Sequence, residues 1–311
     1  MKQHLCLPCP HCPASTPANR QRGMAVIAAL VVVAAAAVAA AAIMQRQALL
    51  ADTLVSERDR TQADWLLRGG LDWARVILFN DARRNPVTRK DSIWSQPIAG
   101  LEVSTPDGRQ KAYFSGQIED EQGKYNLWQL AAQGVVQPRE LAILERLMES
   151  LAMPAALPAN MASRVAQSQA GPQHEQLAPG LRTMADLVGV EGMSPDIANV
   201  LSAYVTVLPQ KTSINVNTAS AEVLSASIPG LDLVKARDLT GLRDRGLWFN
   251  SRGDFVNRLD NPRIARDSNL GVRSDWFKVT GQVALNDSLS RIQALLYRQG
   301  SKPPSIRWIE G

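Results

Sequence analysis

The first twelve residues hold every cysteine of the chain, Cys6, Cys9 and Cys12, with His4 and His11 beside them. Thiolates and an imidazole at that spacing are candidate ligands for a soft metal such as zinc. A tract this short, broken by prolines, has no core with which to close such a site, and a disposable leader accounts for the same residues. The third histidine, His174, lies in a Pro- and Gln-rich stretch. A nucleophilic triad therefore lacks a positioned base. After Gly23 there is no cysteine, no His-Glu-x-x-His and no Gly-rich phosphate loop following a strand. The expectation is a protein that is not an enzyme and requires no cofactor.

Two acidic groupings could serve a hard cation. Glu119, Asp120 and Glu121 are consecutive, and Asp254, Asp260 and Asp267 share a loop-rich stretch. Carboxylates on flexible loops are candidate calcium ligands, although no D-x-D-x-D-G loop accompanies them and solvated acidic turns look the same. Asn215-Val216-Asn217-Thr218-Ala219, followed by Ile228-Pro229-Gly230-Leu231, has the form of a helix–hairpin–helix, whose backbone N–H groups can face a phosphate. Residues 235–273 carry nine Lys+Arg against five Asp+Glu. Against nucleic acid, Asp232 stands where such a hairpin has its second glycine. An exported, membrane-anchored helix–hairpin–helix DNA-binding protein is the rival reading.

The elements that carry these groups begin with an export signal. Lys2, Arg20 and Arg22 precede Gly23 with no acidic residue among them, and removing residues 1–23 lowers the net charge from +5 to +2. Residues 24–44 are free of charge and eleven of these 21 are alanine. As a helix they span roughly 31 Å, which matches a bilayer core of about 30 Å. The arginines on the leading side keep the amino terminus cytoplasmic and send the body across. Three fates fit: cleavage after the apolar run near residues 39–42, no cleavage, or cleavage before it, after Gly23. Helix formers continue past Met44 without a breaker to Gly69-Gly70, with Leu50, Leu54, Leu66, Leu67, Trp73, Ile77 and Leu78 broadly at helical spacing. A helix that outlasts the membrane favours the third fate.

Beyond it, a turn-rich stretch at 80–86 leads to strands around 101–104 and 113–118, joined by the hairpin turn Pro106-Asp107-Gly108. Residues 276–283, 291–298 and 305–309 read as three more strands. Between the groups, 138–151 reads as a helix opened by Pro138, 153–180 as a surface loop, and 184–207 and 218–246 as short helical pairs. The fold class expected is α+β: a long N-terminal helix plus an antiparallel sheet with a large inserted helical domain. The boundaries are a leader at 1–23, the helix at 24–79, a β head at 80–136 and 275–311, and the insertion at 137–274.

Arg22-Gly23-Met24 before an apolar helix resembles the prepilin peptidase motif of type IV pilins. Gly116-Gln117-Ile118-Glu119-Asp120-Glu121-Gln122-Gly123-Lys124-Tyr125-Asn126-Leu127, then Tyr204-Val205-Thr206-Val207-Leu208-Pro209, then Ile214-Asn215-Val216-Asn217-Thr218-Ala219 resemble, in that order, the minor pseudopilin K family of type II secretion systems. Major pilins carry Glu at the fifth mature residue. Here that residue is Ala28. The resemblance implies a pilin-like head, cleavage after Gly23 by prepilin peptidase and a Met24 amino terminus open to methylation. It also implies a single-pass inner-membrane anchor with a periplasmic body, a place at the pseudopilus tip beside minor pseudopilins of the I and J types, and calcium binding as seen in some members.

Overall fold

The computed structural model describes residues 21–104, 111–172, 175–286, 288–300 and 302–310. The leader to residue 20 with its cysteines, the Pro106-Asp107-Gly108 turn and His174 lie outside these residues, and of Arg22 and Gly23 only the helical backbone is described. One helix, α1, runs over Gln21–Arg84. Residues up to Arg58 form a unit of their own. Within it every side chain from 24 to 58 is exposed. The run of alanine and valine leaves nothing polar to solvate, and the helix satisfies its own backbone, which is the condition for a bilayer-spanning segment. Its length and composition suffice to cross a membrane.

The second unit runs from Asp59 to Gly311. Its sheet is an antiparallel meander, β1 (Ile98–Ser104), β2 (Lys111–Asp120), β3 (Trp276–Leu285), β4 (Ser288–Tyr297) and β5 (Ser305–Glu310), paired in chain order. Ala63, Leu67, Leu71, Ala74 and Leu78 recur at helical spacing on α1 and are buried against Ile118, Val279, Val283, Ile292, Ala294 and Leu296 of the sheet. Phe114 fixes how near the layers come: a Cβ at Gly70 would meet its ring at 2.5 Å, and one at Gly116 at 3.0 Å. A Cβ at Gly281 would stand 3.1 Å from Ile292 and 3.3 Å from Leu67.

All of 121–275 leaves the sheet between two strands that are direct neighbours. It folds around a second core with α2 (Pro138–Ser150), α3 (Leu157–Gln167), α4 (Pro195–Leu201), α5 (Ala221–Ser227), α6 (Leu233–Asp244) and α7 (Arg252–Val256). Tyr125, Leu127, Leu130 and Ala131 belong to that core. The inserted lobe therefore starts packing near Tyr125 and not at residue 137. Two other expectations change. The helix continues through 80–84, because Asp81 is buried and accepts from Asn85 Nδ2 at 2.7 Å while its carbonyl accepts from Asn85 N–H at 2.9 Å. The stretch 153–180 is not all loop: α3 sits within it, with Pro158 in its first turn, where the missing N–H is harmless. Leu157, Met161 and Val165 give that helix one buried face.

The paired glycines of α1 provide a test. Gly69 meets nothing within 4 Å, so Gly69→Ala is expected to stabilise the protein by about 1 kcal/mol through helix propensity. Gly70→Ala is expected to destabilise it by about 1–3 kcal/mol through overpacking on Phe114. Urea denaturation in detergent reads both, and equal effects would contradict the packing described.

Candidate functional site

On α1, large apolar side chains away from the buried stripe stand exposed, among the charged Arg68 and Asp72. Trp65 is 70% exposed, Trp73 51% and Val76 53%. Positions eight and eleven residues apart share a helix face, and Gly69 keeps the surface low between the two indoles. Exposed tryptophans are costly to leave in water and frequent at protein–protein hot spots. This face can dock another protein. Further up the same helix, Ala28 stands exposed in a stretch that has no acidic residue before Asp52.

The second feature is buried. Asp120, the last residue of β2, accepts hydrogen bonds from Gln122 N–H at 2.8 Å, Asn215 Nδ2 at 3.0 Å, Thr218 Oγ1 at 2.6 Å and Ser274 Oγ at 2.6 Å. Burial holds its carboxyl above the usual range, and the four donors offset only part of that. Beside it Arg298 is buried, donating to Asp81 Oδ2 at 3.3 Å, Thr88 Oγ1 at 2.9 Å and the Ser274 carbonyl at 2.6 Å. The end of α1, the sheet and both ends of the insertion meet there.

The acidic trio does not form a single oxygen cage. Asp120 turns into this cluster, whereas Glu119 pairs with Lys124 at 3.2 Å and Lys278 at 3.1 Å. Glu121 pairs with Lys124 at 2.8 Å and accepts from Thr206 Oγ1. Burial disfavours the Glu119 charge, but the two ammonium groups outweigh it and hold its carboxyl below the usual range. Asp254 accepts from Asn250 N–H, and Asp260 pairs with Lys235. Among the described residues no three histidines or carboxylates gather at metal spacing.

The hairpin motif is turned inward as well. Asn217 exchanges two hydrogen bonds with the Phe249 backbone, at 2.9 and 3.0 Å. Arg243, almost fully buried, donates to the carbonyls of Val216 and Ala219. Asp232 caps α6 by accepting from Lys235 N–H at 2.8 Å. The polar side chains of the motif are spent inside the lobe, and the Asp232 carboxylate stands at the start of α6, where it would repel a phosphate. The Asp120 cluster escaped the sequence because the side chains that bond Asp120 lie 95 residues or more from it. The available signal was an asparagine pair, Asn215 and Asn217, in an otherwise apolar run.

Asp120→Ala leaves buried donors from Asn215, Thr218 and Ser274 without an acceptor and is expected to cost about 3–5 kcal/mol. Asp120→Asn, which keeps one carbonyl oxygen, is expected to cost less. Denaturation midpoints check the order, and a neutral Asp120→Ala would contradict it.

Two family models described as Type II secretion system (T2SS), protein K match residues 123–210 and 214–273. Type II secretion system protein K of Pseudomonas aeruginosa is 26% identical over 303 residues, covering 89% of each chain. The protein of that name from Pectobacterium carotovorum subsp. carotovorum is 27% identical over 317 residues, covering 91% of this chain and 94% of its own. A chain in the crystal structure of the GspK–GspI–GspJ complex from the enterotoxigenic Escherichia coli type 2 secretion system superposes with a TM-score of 0.64 at 17% identity, over 82% of this chain and 97% of that one.

Proposed function

We propose that this chain, which belongs to the type II secretion system protein K family, is a minor pseudopilin that helps build the secretion pseudopilus and catalyses nothing. The observation that carries the reading is the design of α1: an apolar, unsheltered first part followed by a part that buries one face on a sheet and leaves Trp65 and Trp73 exposed. The first part suits an inner-membrane anchor, with the body on the periplasmic side. Cleavage after Gly23 by prepilin peptidase, next to Arg22, keeps that anchor and makes Met24 the amino terminus.

Ala28 supports a place at the fibre tip. A charged side chain within a membrane helix is costly unless it is paired, a cost that a partner in the next subunit can offset. A tip subunit has no neighbour above it, and alanine needs none. The solved GspK–GspI–GspJ complex supports two further minor pseudopilins, of the I and J kinds, as partners.

Co-purification of the full-length chain with its I- and J-type pseudopilins in detergent tests the reading. A complex is expected, and Trp65→Ser with Trp73→Ser should weaken it at least roughly thirtyfold, since losing one hot-spot tryptophan costs about 2 kcal/mol or more. A chain that supports secretion yet never associates with them would overturn the assignment.

A further inference from the structure

The end of the body where α1 terminates is more basic than its ion pairs account for. Arg84 closes α1 and is exposed. The Thr88 N–H bonds the Val272 carbonyl at 2.9 Å, which sets the Arg89 and Lys90 pair beside Arg273. Arg89 lies over the Trp248 ring at 5.6 Å, and Lys90 feels the charges of Arg243 and Asp244. That places the 245–248 turn, with Arg245 and the half-exposed Leu247, alongside.

Most acids of this region are paired, and exposed Asp275 is the exception. Asp91 pairs with Arg89 at 3.0 Å, Asp244 with Arg243 at 2.8 Å and Asp81 with Arg298 at 3.3 Å. Asp275 sits between the fields of Arg298 and Arg273. Among the described residues, Arg84, Lys90, Arg245 and Arg273 form no ion pair. A cleft of about 490 Å³ opens beside Lys90, lined also by Trp94, Lys124, Ser220 and Lys278. The carboxylates on its wall, Glu119 and Asp120, are committed to Lys124, Lys278 and the buried cluster. Lys90 is its surplus cation.

We infer that this basic belt docks an acidic segment of a protein partner, with one carboxylate entering the cleft to meet Lys90 and Leu247 giving an apolar contact at the edge. Unpaired cations around a small apolar spot raise the rate and selectivity of association with a complementary acidic surface, and the attraction weakens with salt. A protein fits better than nucleic acid, because the Asp232 carboxylate caps α6 where the hairpin would have to accept a phosphate. The belt stands whether or not the chain is a pseudopilin.

Fluorescence anisotropy of a labelled deca-glutamate peptide with the full-length chain in detergent tests it, beside a 20-base-pair duplex DNA of matched label. The chain is expected to bind the peptide, to lose at least about tenfold in affinity when salt rises from 50 to 200 mM, and to lose a similar factor in Arg84→Glu/Arg245→Glu/Arg273→Glu. Arg68→Glu/Arg291→Glu, with Arg68 roughly 24 Å along α1 from Arg84, serves as the control and should change affinity less than about twofold. Circular dichroism confirms that both variants are folded. Equal losses in the two variants, or no binding at low salt, would overturn the proposal. Tighter, belt-dependent binding of the duplex would overturn it in favour of nucleic acid.

Discussion

The carboxylate of Asp120 is the constraint on which the body depends. β2 and β3 are paired neighbours, with Asp120 opposite Phe277 at the end of the ladder, yet the chain between them makes a whole lobe. Closing so long a loop costs little more entropy than closing a short one. The demand is local: exit and return must be held together where the ladder stops. Asp120 at the exit and Ser274 at the return are bonded directly, and Asn215 and Thr218 bring the lobe's interior to the same oxygen atoms. Four donors on one buried carboxylate are near the number it can accept. Losing one partner there leaves others stranded.

The apolar packing on either side is of the ordinary kind. One core lies between α1 and the sheet, and another fills the lobe. Apolar contacts are not directional, so neither core by itself sets the angle at which lobe and sheet meet. Hydrogen bonds are directional, and the cluster of Asp120, Asn215, Ser274, Thr88 and Arg298 supplies the missing geometry. Arg298 extends it to the last turn of α1 through Asp81 and the Leu78 carbonyl. A load carried by α1 reaches the lobe through these polar groups as well as through the greasy face of the helix. For a protein that works by assembly, a fixed relation between docking helix and lobe is what a partner can recognise.

Much of this was legible in the sequence, for identifiable reasons. The charge-free run of 24–44 and the strand segments near both ends follow from residue type and short period, and the helix opened by Pro138 follows from its cap. The errors fell where tertiary contacts override local signals. Asn80 to Asn85 looks like a turn until Asp81 finds Arg298. Pro158 looks like a breaker until its neighbours Leu157 and Met161 turn out to be buried. Glu119, Asp120 and Glu121 look like one acidic patch, but strand alternation sends adjacent side chains to opposite faces, and lysines from elsewhere take the outer two. The family resemblance rested on these same stretches, and their order along the chain carried it where single motifs could not.

Assembly of the kind proposed requires that the apolar helix stay with the mature chain. Intact-mass and N-terminal analysis of the protein from the membrane fraction decides this. The expected result is a chain beginning at Met24, with or without one added methyl group, that retains all of residues 24–44. A chain beginning beyond Ala40, or an intact Met1, would contradict it.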